Sequence, residues 1–252
     1  MKRVQLEAIG WASAGAALVL FMGVLVVQWR MALLPPSGWV AVLAYLLVSN
    51  ALVVRGLRRR RSARFGPANI VTAMRSTIVG VITGLVVASF TAPISIGLLV
   101  ALVVPALALD AVDGWVARRT GTTSELGARF DMEVDAFLLL VLSVFVAQTM
   151  GLWVLAIGLL RYAFVAAGWA LPWMRRQLPP RYWRKVVTAV AGIALAIAAS
   201  GLLPGIDIAL VAFALALLVE SFGRDVSWLV ARRRDEVGVR RAALKQSTVR
   251  SR

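Results

Sequence analysis

Six of the twelve acidic residues in the chain, Asp110, Asp113, Glu125, Asp131, Glu133 and Asp135, fall within 26 consecutive positions. Asp110 and Asp113 are three apart and Asp131 and Asp135 four apart, so in helices each pair lies on one face. Facing each other across a hairpin expected from Arg118 to Phe130, the pairs set four carboxylates around one cavity. Such groups repel, and even one aspartate near the middle of a bilayer costs ~2.5–3.5 kcal/mol, so something positive belongs between them. The chain has no histidine and no cysteine, which removes Ser-His-Asp catalysis, His-ligated zinc and thiol chemistry. Oxygen-only ligation favours a hard cation, and two Mg2+ or Mn2+ ions suit four carboxylates plus phosphate oxygens better than one. Gly114, four after Asp110, and Ala117, four after Asp113, keep the same face small, leaving a groove in which a ligand approaches the backbone. Arg118 follows, suited to meeting phosphate. A lone aspartate here would read as a helix cap or an interfacial charge; four at these spacings do not.

The elements that must carry these residues are membrane spans. Of 252 residues, 60% are hydrophobic and only 16% charged, beyond what a water-soluble core needs. Apolar segments fall near 8–29, 38–55, 69–90, 94–117, 131–149, 151–173, 185–203 and 206–229. Most are about 20 residues, the length that crosses a hydrocarbon layer of ~30 Å. The expected fold is an all-α polytopic membrane bundle of eight transmembrane helices. The first follows Lys2 and Arg3 but is too long for a signal-peptide core, and no small-residue cleavage site precedes Arg30, so it reads as retained.

The formal charge of +16 would suggest nucleic acid in a soluble chain. Here it sets topology, and no nucleic-acid partner is expected. With the N-terminus inside, 24 of the 28 basic residues fall in cytoplasmic segments, the distribution that the positive-inside rule describes. Both termini and the aspartates are then cytoplasmic, in the inner (plasma) membrane of a cell whose arginine-rich usage (25 Arg to 3 Lys) fits a GC-rich bacterium. The run from Arg55 to Arg64 is the best internal boundary. It separates residues 1–64, two N-terminal helices with a polybasic linker, from a six-helix core at 65–230 and a basic, loose tail at 231–252. The linker suits anionic lipid headgroups or serves only as a topology anchor.

From Asp110 to Asp135 the chain reads D-x2-D-G-x2-A-R-x8-G-x3-D-x3-D, with Asp110, Asp113, Gly114, Ala117, Arg118, Gly127, Asp131 and Asp135 filling every fixed position. This resembles the CDP-alcohol phosphotransferase family, membrane enzymes that make phospholipids by displacing CMP. Asn69, Thr72 and Arg75 are similar to the N-x-x-T-x-x-R that opens the first core span in many members, although the usual proline beside the asparagine stands one residue earlier here, at Pro67. Arg184-Lys185-Val186-Val187-Thr188 is similar to a K-x-x-T before a later span. The likeness covers roughly residues 65 to 230.

The resemblance implies that Asp110, Asp113 and Asp131 hold one metal ion and that Asp110, Asp131 and Asp135 hold a second. Asp135 would also take the proton from the incoming hydroxyl. Gly114, Ala117, Arg118, Ser124 and the segment from Asn69 through Thr72 to Arg75 would line the site for cytidine diphosphate. The donor expected in a bacterium is CDP-diacylglycerol and the acceptor a small alcohol, in a homodimer among membrane lipids. Arg161, Lys185 and Arg224, with Arg175 and Arg176, suggest a basic pocket and so a phosphorylated acceptor, glycerol 3-phosphate or inositol phosphate; the lesser alternative for Arg161 is a salt bridge to a core acid. Other readings remain open: transfer of a CDP-carried headgroup to diacylglycerol, an intramembrane prenyltransferase with paired Asp motifs, or a cation transporter with a carboxylate site.

Overall fold

The computed structural model of the chain describes residues 34–60, 67–120, 125–176, 178–179 and 181–250, and their regular structure is entirely helical. For some helical residues, 67–72, 111–120 and 235–250 among them, the helical course alone is described. The expected first span at 8–29 lies outside the described residues. Among the described residues seven α-helices follow one another: α1 Pro36–Arg60, α2 Pro67–Ala88, α3 Ile96–Thr120, α4 Glu125–Met150, α5 Leu155–Ala170, α6 Tyr182–Ser200 and α7 Ile206–Arg250. Short 3-10 turns at Leu152–Val154 and Pro172–Arg175 flank α5. Three helical stretches among the described residues are long and apolar enough to cross a membrane: Leu152–Ala170, Tyr182–Ser200 and Ile206–Arg234. Shorter apolar stretches occupy Pro36–Leu52, Ala73–Ala88 and Ile96–Asp110.

The helices run further than their apolar segments. α1 continues through the polybasic run as far as Arg60, and α3 and α4 leave only residues 121–124 between them where a hairpin from Arg118 to Phe130 was expected. Asp131 and Asp135 consequently stand in the second and third turns of α4. The tail expected to be loose after Arg232 is helical to Arg250. The reason is common to all three. Apolarity marks where a membrane begins, whereas a helix continues through Arg, Ala, Leu, Glu and Lys until a breaker stops it, and no proline follows Pro204.

The core is built from alternating turns of neighbouring helices, with Val79 and Ile82 of α2, Leu99 of α3, Leu142 of α4, Leu195 of α6 and Val211 of α7 fully enclosed. Between helices in lipid there is little hydrophobic drive, so close van der Waals approach carries the association. Two contacts show it. A Cβ on Gly158 of α5 would stand 2.4 Å from the Cα of Leu140 and 2.6 Å from the Oγ of Ser143 on α4. Gly84 of α2 faces Gly38 of α1 so closely that its Cβ would meet Val42 Cγ2 at 2.4 Å and the Gly38 carbonyl oxygen at 2.9 Å.

Because the atom facing Gly158 belongs to a helix backbone that cannot swing aside, Gly158→Ala is expected to destabilise the protein by about 1–3 kcal/mol through overpacking. Gly223 of α7 has nothing within 4 Å, and Gly223→Ala should be neutral or stabilise by up to ~1 kcal/mol. Thermal unfolding of the two variants in detergent checks the contrast; equal melting temperatures would contradict it.

Candidate active site

α2, α3 and α4 meet around one side chain. Arg75, near the start of α2, has no solvent exposure. Its Nη1 donates to Asp110 Oδ1 on α3 at 2.7 Å, and its Nη2 donates to Asp131 Oδ1 on α4. The same Nη2 lies 3.0 Å from Asp135 Oδ1, one turn further along α4, and 3.4 Å from the Asp131 carbonyl oxygen. The i, i+4 spacing of Asp131 and Asp135 puts both on the face of α4 turned to α2, and the planar fork of a guanidinium can serve several carboxylates at once. The acids, unlike the arginine, remain partly open to solvent, Asp110 at 43% and Asp131 and Asp135 at 28% and 25%.

One carboxylate oxygen from each of Asp110, Asp131 and Asp135 lies within 4.8 Å of the other two, close enough to hold a metal ion. Hard oxygen donors of this kind suit Mg2+ or Mn2+. The charge fits too: counting these four groups alone, one guanidinium against three carboxylates leaves a formal −2, which one divalent cation cancels. Asp113, Gly114, Ala117 and Arg118 continue α3 beyond Asp110, and Asn69 and Thr72 precede Arg75 on α2; their side chains lie outside what is described, and Ser124 lies outside the described residues altogether.

The model of the CDP-alcohol phosphatidyltransferase family matches residues 65–220, well over half of the chain. The chain belongs to that family. Its members are metal-dependent transferases that use CDP-alcohol donors and alcohol acceptors in membranes. No curated protein and no solved structure matches the chain. The match takes in α2 through the first third of α7, so Arg75 and the three clustered aspartates all fall within it, while α1 lies upstream.

The basic residues expected around an acceptor are distributed over three helices. Arg161 of α5 donates from Nη2 to Glu133 Oε1 at 2.5 Å, and Glu133 sits between Asp131 and Asp135 in sequence. Arg224 of α7 pairs with Glu220 one turn earlier, and Glu220 also accepts from Trp183 Nε1 at 3.1 Å. Lys185 of α6 is exposed. Arg175 donates from Nε to the Gly168 carbonyl oxygen at 2.8 Å, closing the end of α5. Sequence reasoning did not single out Tyr45, Ser49 and Ser76, which hydrogen-bond together beside Arg75. The signal available was only that hydroxyl side chains interrupt otherwise apolar helices.

Removing Arg75 takes away the cation that Asp110, Asp131 and Asp135 share. In metal-free protein Arg75→Met should cost less than the ~3–5 kcal/mol typical of a wholly buried broken pair, because the acids are partly solvated, but enough to lower the melting temperature clearly. Saturating Mn2+ should then raise the melting temperature of Arg75→Met less than that of the wild type, because the carboxylates that receive the cation are no longer held together. An equal or larger Mn2+-induced rise in the variant would show that Arg75 does not order the ligands of the cation.

Proposed function

We propose that the protein transfers the phosphatidyl group of CDP-diacylglycerol to the hydroxyl of a small polar alcohol and releases CMP. The observation that carries this reading is the gathering of Asp110, Asp131 and Asp135 around Arg75 inside the family-matched segment. The acceptor hydroxyl attacks the phosphorus that bears diacylglycerol, the bond from that phosphorus to the CMP oxygen breaks, and the hydroxyl proton passes to Asp135. CMP departs as an anion and needs no strong acid behind it, which suits a chain without histidine.

Asp110, Asp113 and Asp131 would hold one Mg2+ or Mn2+ and Asp110, Asp131 and Asp135 a second. When bound, such ions neutralise pyrophosphate charge and make the hydroxyl more acidic. The chain's own residues supply the rest. Asp135 is one helical turn from Asp131, so a single face of α4 presents both a metal ligand and a proton acceptor. Asn69, Thr72, Gly114, Ala117, Arg118 and Ser124 would line the nucleotide site. Arg75 would act from beneath it, keeping the carboxylates in place.

A phosphorylated acceptor, glycerol 3-phosphate or inositol phosphate, is the favoured substrate class. Arg161 stands against Glu133 on the helix that carries Asp131 and Asp135, and Lys185 and Arg224 add positive charge on α6 and α7. The family's membrane setting and the loop charges support eight spans, two N-terminal helices before a core at 65–230, and a site and both termini on the cytoplasmic side of the plasma membrane. A homodimer is the expected assembly.

Purified protein incubated with radiolabelled CDP-diacylglycerol, Mn2+ or Mg2+ and a panel of alcohols should give a new phospholipid on chromatography together with CMP, and chelation of the metal should abolish it. Asp135→Asn should lower kcat by about 10²–10⁴-fold, the usual worth of a positioned general base. Normal turnover by this variant would remove Asp135 from its role. Pyrophosphate in place of CMP would overturn the reaction itself.

A further inference from the structure

Tyr45 and Ser49 belong to α1, upstream of the family-matched segment. Most hydroxyl side chains in these helices spend their hydrogen bond on their own backbone: Thr77 donates to the Ala73 carbonyl oxygen at 3.1 Å, Thr83 to Val79 at 2.8 Å and Ser143 to Leu140 at 2.8 Å. Tyr45, Ser49 and Ser76 instead bond across helices. Ser49 Oγ is 2.9 Å and Tyr45 Oη 3.1 Å from Ser76 Oγ, and both serines are buried. Ser76 is the residue next to Arg75. The ring of Tyr45 also stacks on Phe137 of α4, with centroids 4.8 Å apart and planes inclined by 24°. Phe137 lies two residues beyond Asp135.

One side chain of α1 therefore touches both the helix that carries Arg75 and the helix that carries Asp131 and Asp135. The contacts of Arg75 with these acids bridge α2 and α4, and such hydrogen bonds weaken steeply when distance or angle drifts. α1 itself is held against sliding, because a Cβ on Gly38 would meet the Gly84 carbonyl oxygen at 2.8 Å. We propose that α1 is a working part of the active site: Tyr45, assisted by Ser49, is a positioning residue that sets the spacing of α2 and α4 at which Arg75 orders Asp131 and Asp135, and hence the carboxylate geometry offered to a divalent cation. The inference rests on the transfer reading above for its kinetic readout, but not for its metal-binding readout.

The test uses the full chain in nanodiscs. Mn2+ is titrated into metal-stripped protein and free Mn2+ is followed by electron paramagnetic resonance, alongside steady-state kinetics with CDP-diacylglycerol. Tyr45→Leu should weaken Mn2+ binding about tenfold, the lower end of what outer partners of metal ligands contribute, and lower kcat while leaving KM for the donor within about twofold. Tyr45→Phe keeps the stacked ring and loses one hydrogen bond, so it should return to within about threefold of wild type. Leu47→Ala, on the exposed side of α1, should match wild type. A lower melting temperature for Tyr45→Leu with unchanged Mn2+ affinity overturns the proposal, since a purely structural pin would behave that way. If Tyr45→Leu does not fold, unaltered Mn2+ affinity in the combined Tyr45→Phe and Ser49→Ala protein overturns it equally. Mn2+ binding by wild type without CMP release would sink the transfer reading alone and leave the proposal to be decided by the Mn2+ titrations; no Mn2+ binding by wild type would sink both.

Discussion

A guanidinium with no access to solvent must be neutralised where it stands. Arg75 meets that requirement with carboxylates from two other helices, which ties α2, α3 and α4 together at one point. In surroundings this apolar, an uncompensated ion of either sign carries a heavy solvation penalty, so none of the three helices can rotate or slide without exposing a charge to its neighbours. Asp110 sits 35 residues and Asp131 56 residues from Arg75 along the chain. The electrostatic constraint is thus long-range in sequence and short-range in space, and it fixes helical register as well as helix proximity.

Packing completes what charge begins. Small residues let helices approach until backbone meets backbone, as Gly158 does against α4 and Gly84 against α1, and the energy gained there is dispersion over many contacts rather than burial from water. α4 is the element on which the two effects converge. Its one face presents Asp131 and Asp135 to Arg75, another receives Gly158 of α5, and Phe137 meets Tyr45 of α1. Glu133 binds Arg161 on yet another side. A helix engaged all round in this way is a rigid mount for its carboxylates, and side chains held in place beforehand are what a metal site needs.

Much of the site was legible because helical spacing is local information. The intervals between Asp110 and Asp113 and between Asp131 and Asp135 put each pair on one face without any knowledge of tertiary structure. That the two segments face each other followed from the hairpin between them, and Asp110 does meet Asp131 and Asp135. What could not be read was that a shared cation is built into the chain. Arg75 was marked by its motif for the nucleotide, and nothing near it in sequence names Asp110, Asp131 or Asp135 as its partners. The helix ends failed for a different reason: hydropathy reports the membrane boundary, whereas α1, α3, α4 and α7 are prolonged by charged residues that favour helix. Tyr45, Ser49 and Ser76 stayed hidden because a hydroxyl in an apolar helix usually bonds the preceding turn, as Thr77 and Thr83 do here.

The second charged cluster in the bundle clarifies what makes the first one a site. At the junction of α6 and α7, Asp225 is the buried member, with 4% of its side chain exposed, and it faces Arg181 at 3.8 Å and Arg184 at 3.6 Å, each about one-third exposed. The separations exceed direct hydrogen bonds, and the buried ion is the acid. Around Arg75 the order is inverted: the cation is sealed and the acids open outward. A buried ion fixes position, while its exposed partners determine the field felt from outside. The Asp225 cluster therefore pins two helices and shows arginine to its surroundings, whereas the Arg75 cluster pins three and, among the described side chains, shows more carboxylate than guanidinium, the polarity that suits a divalent cation.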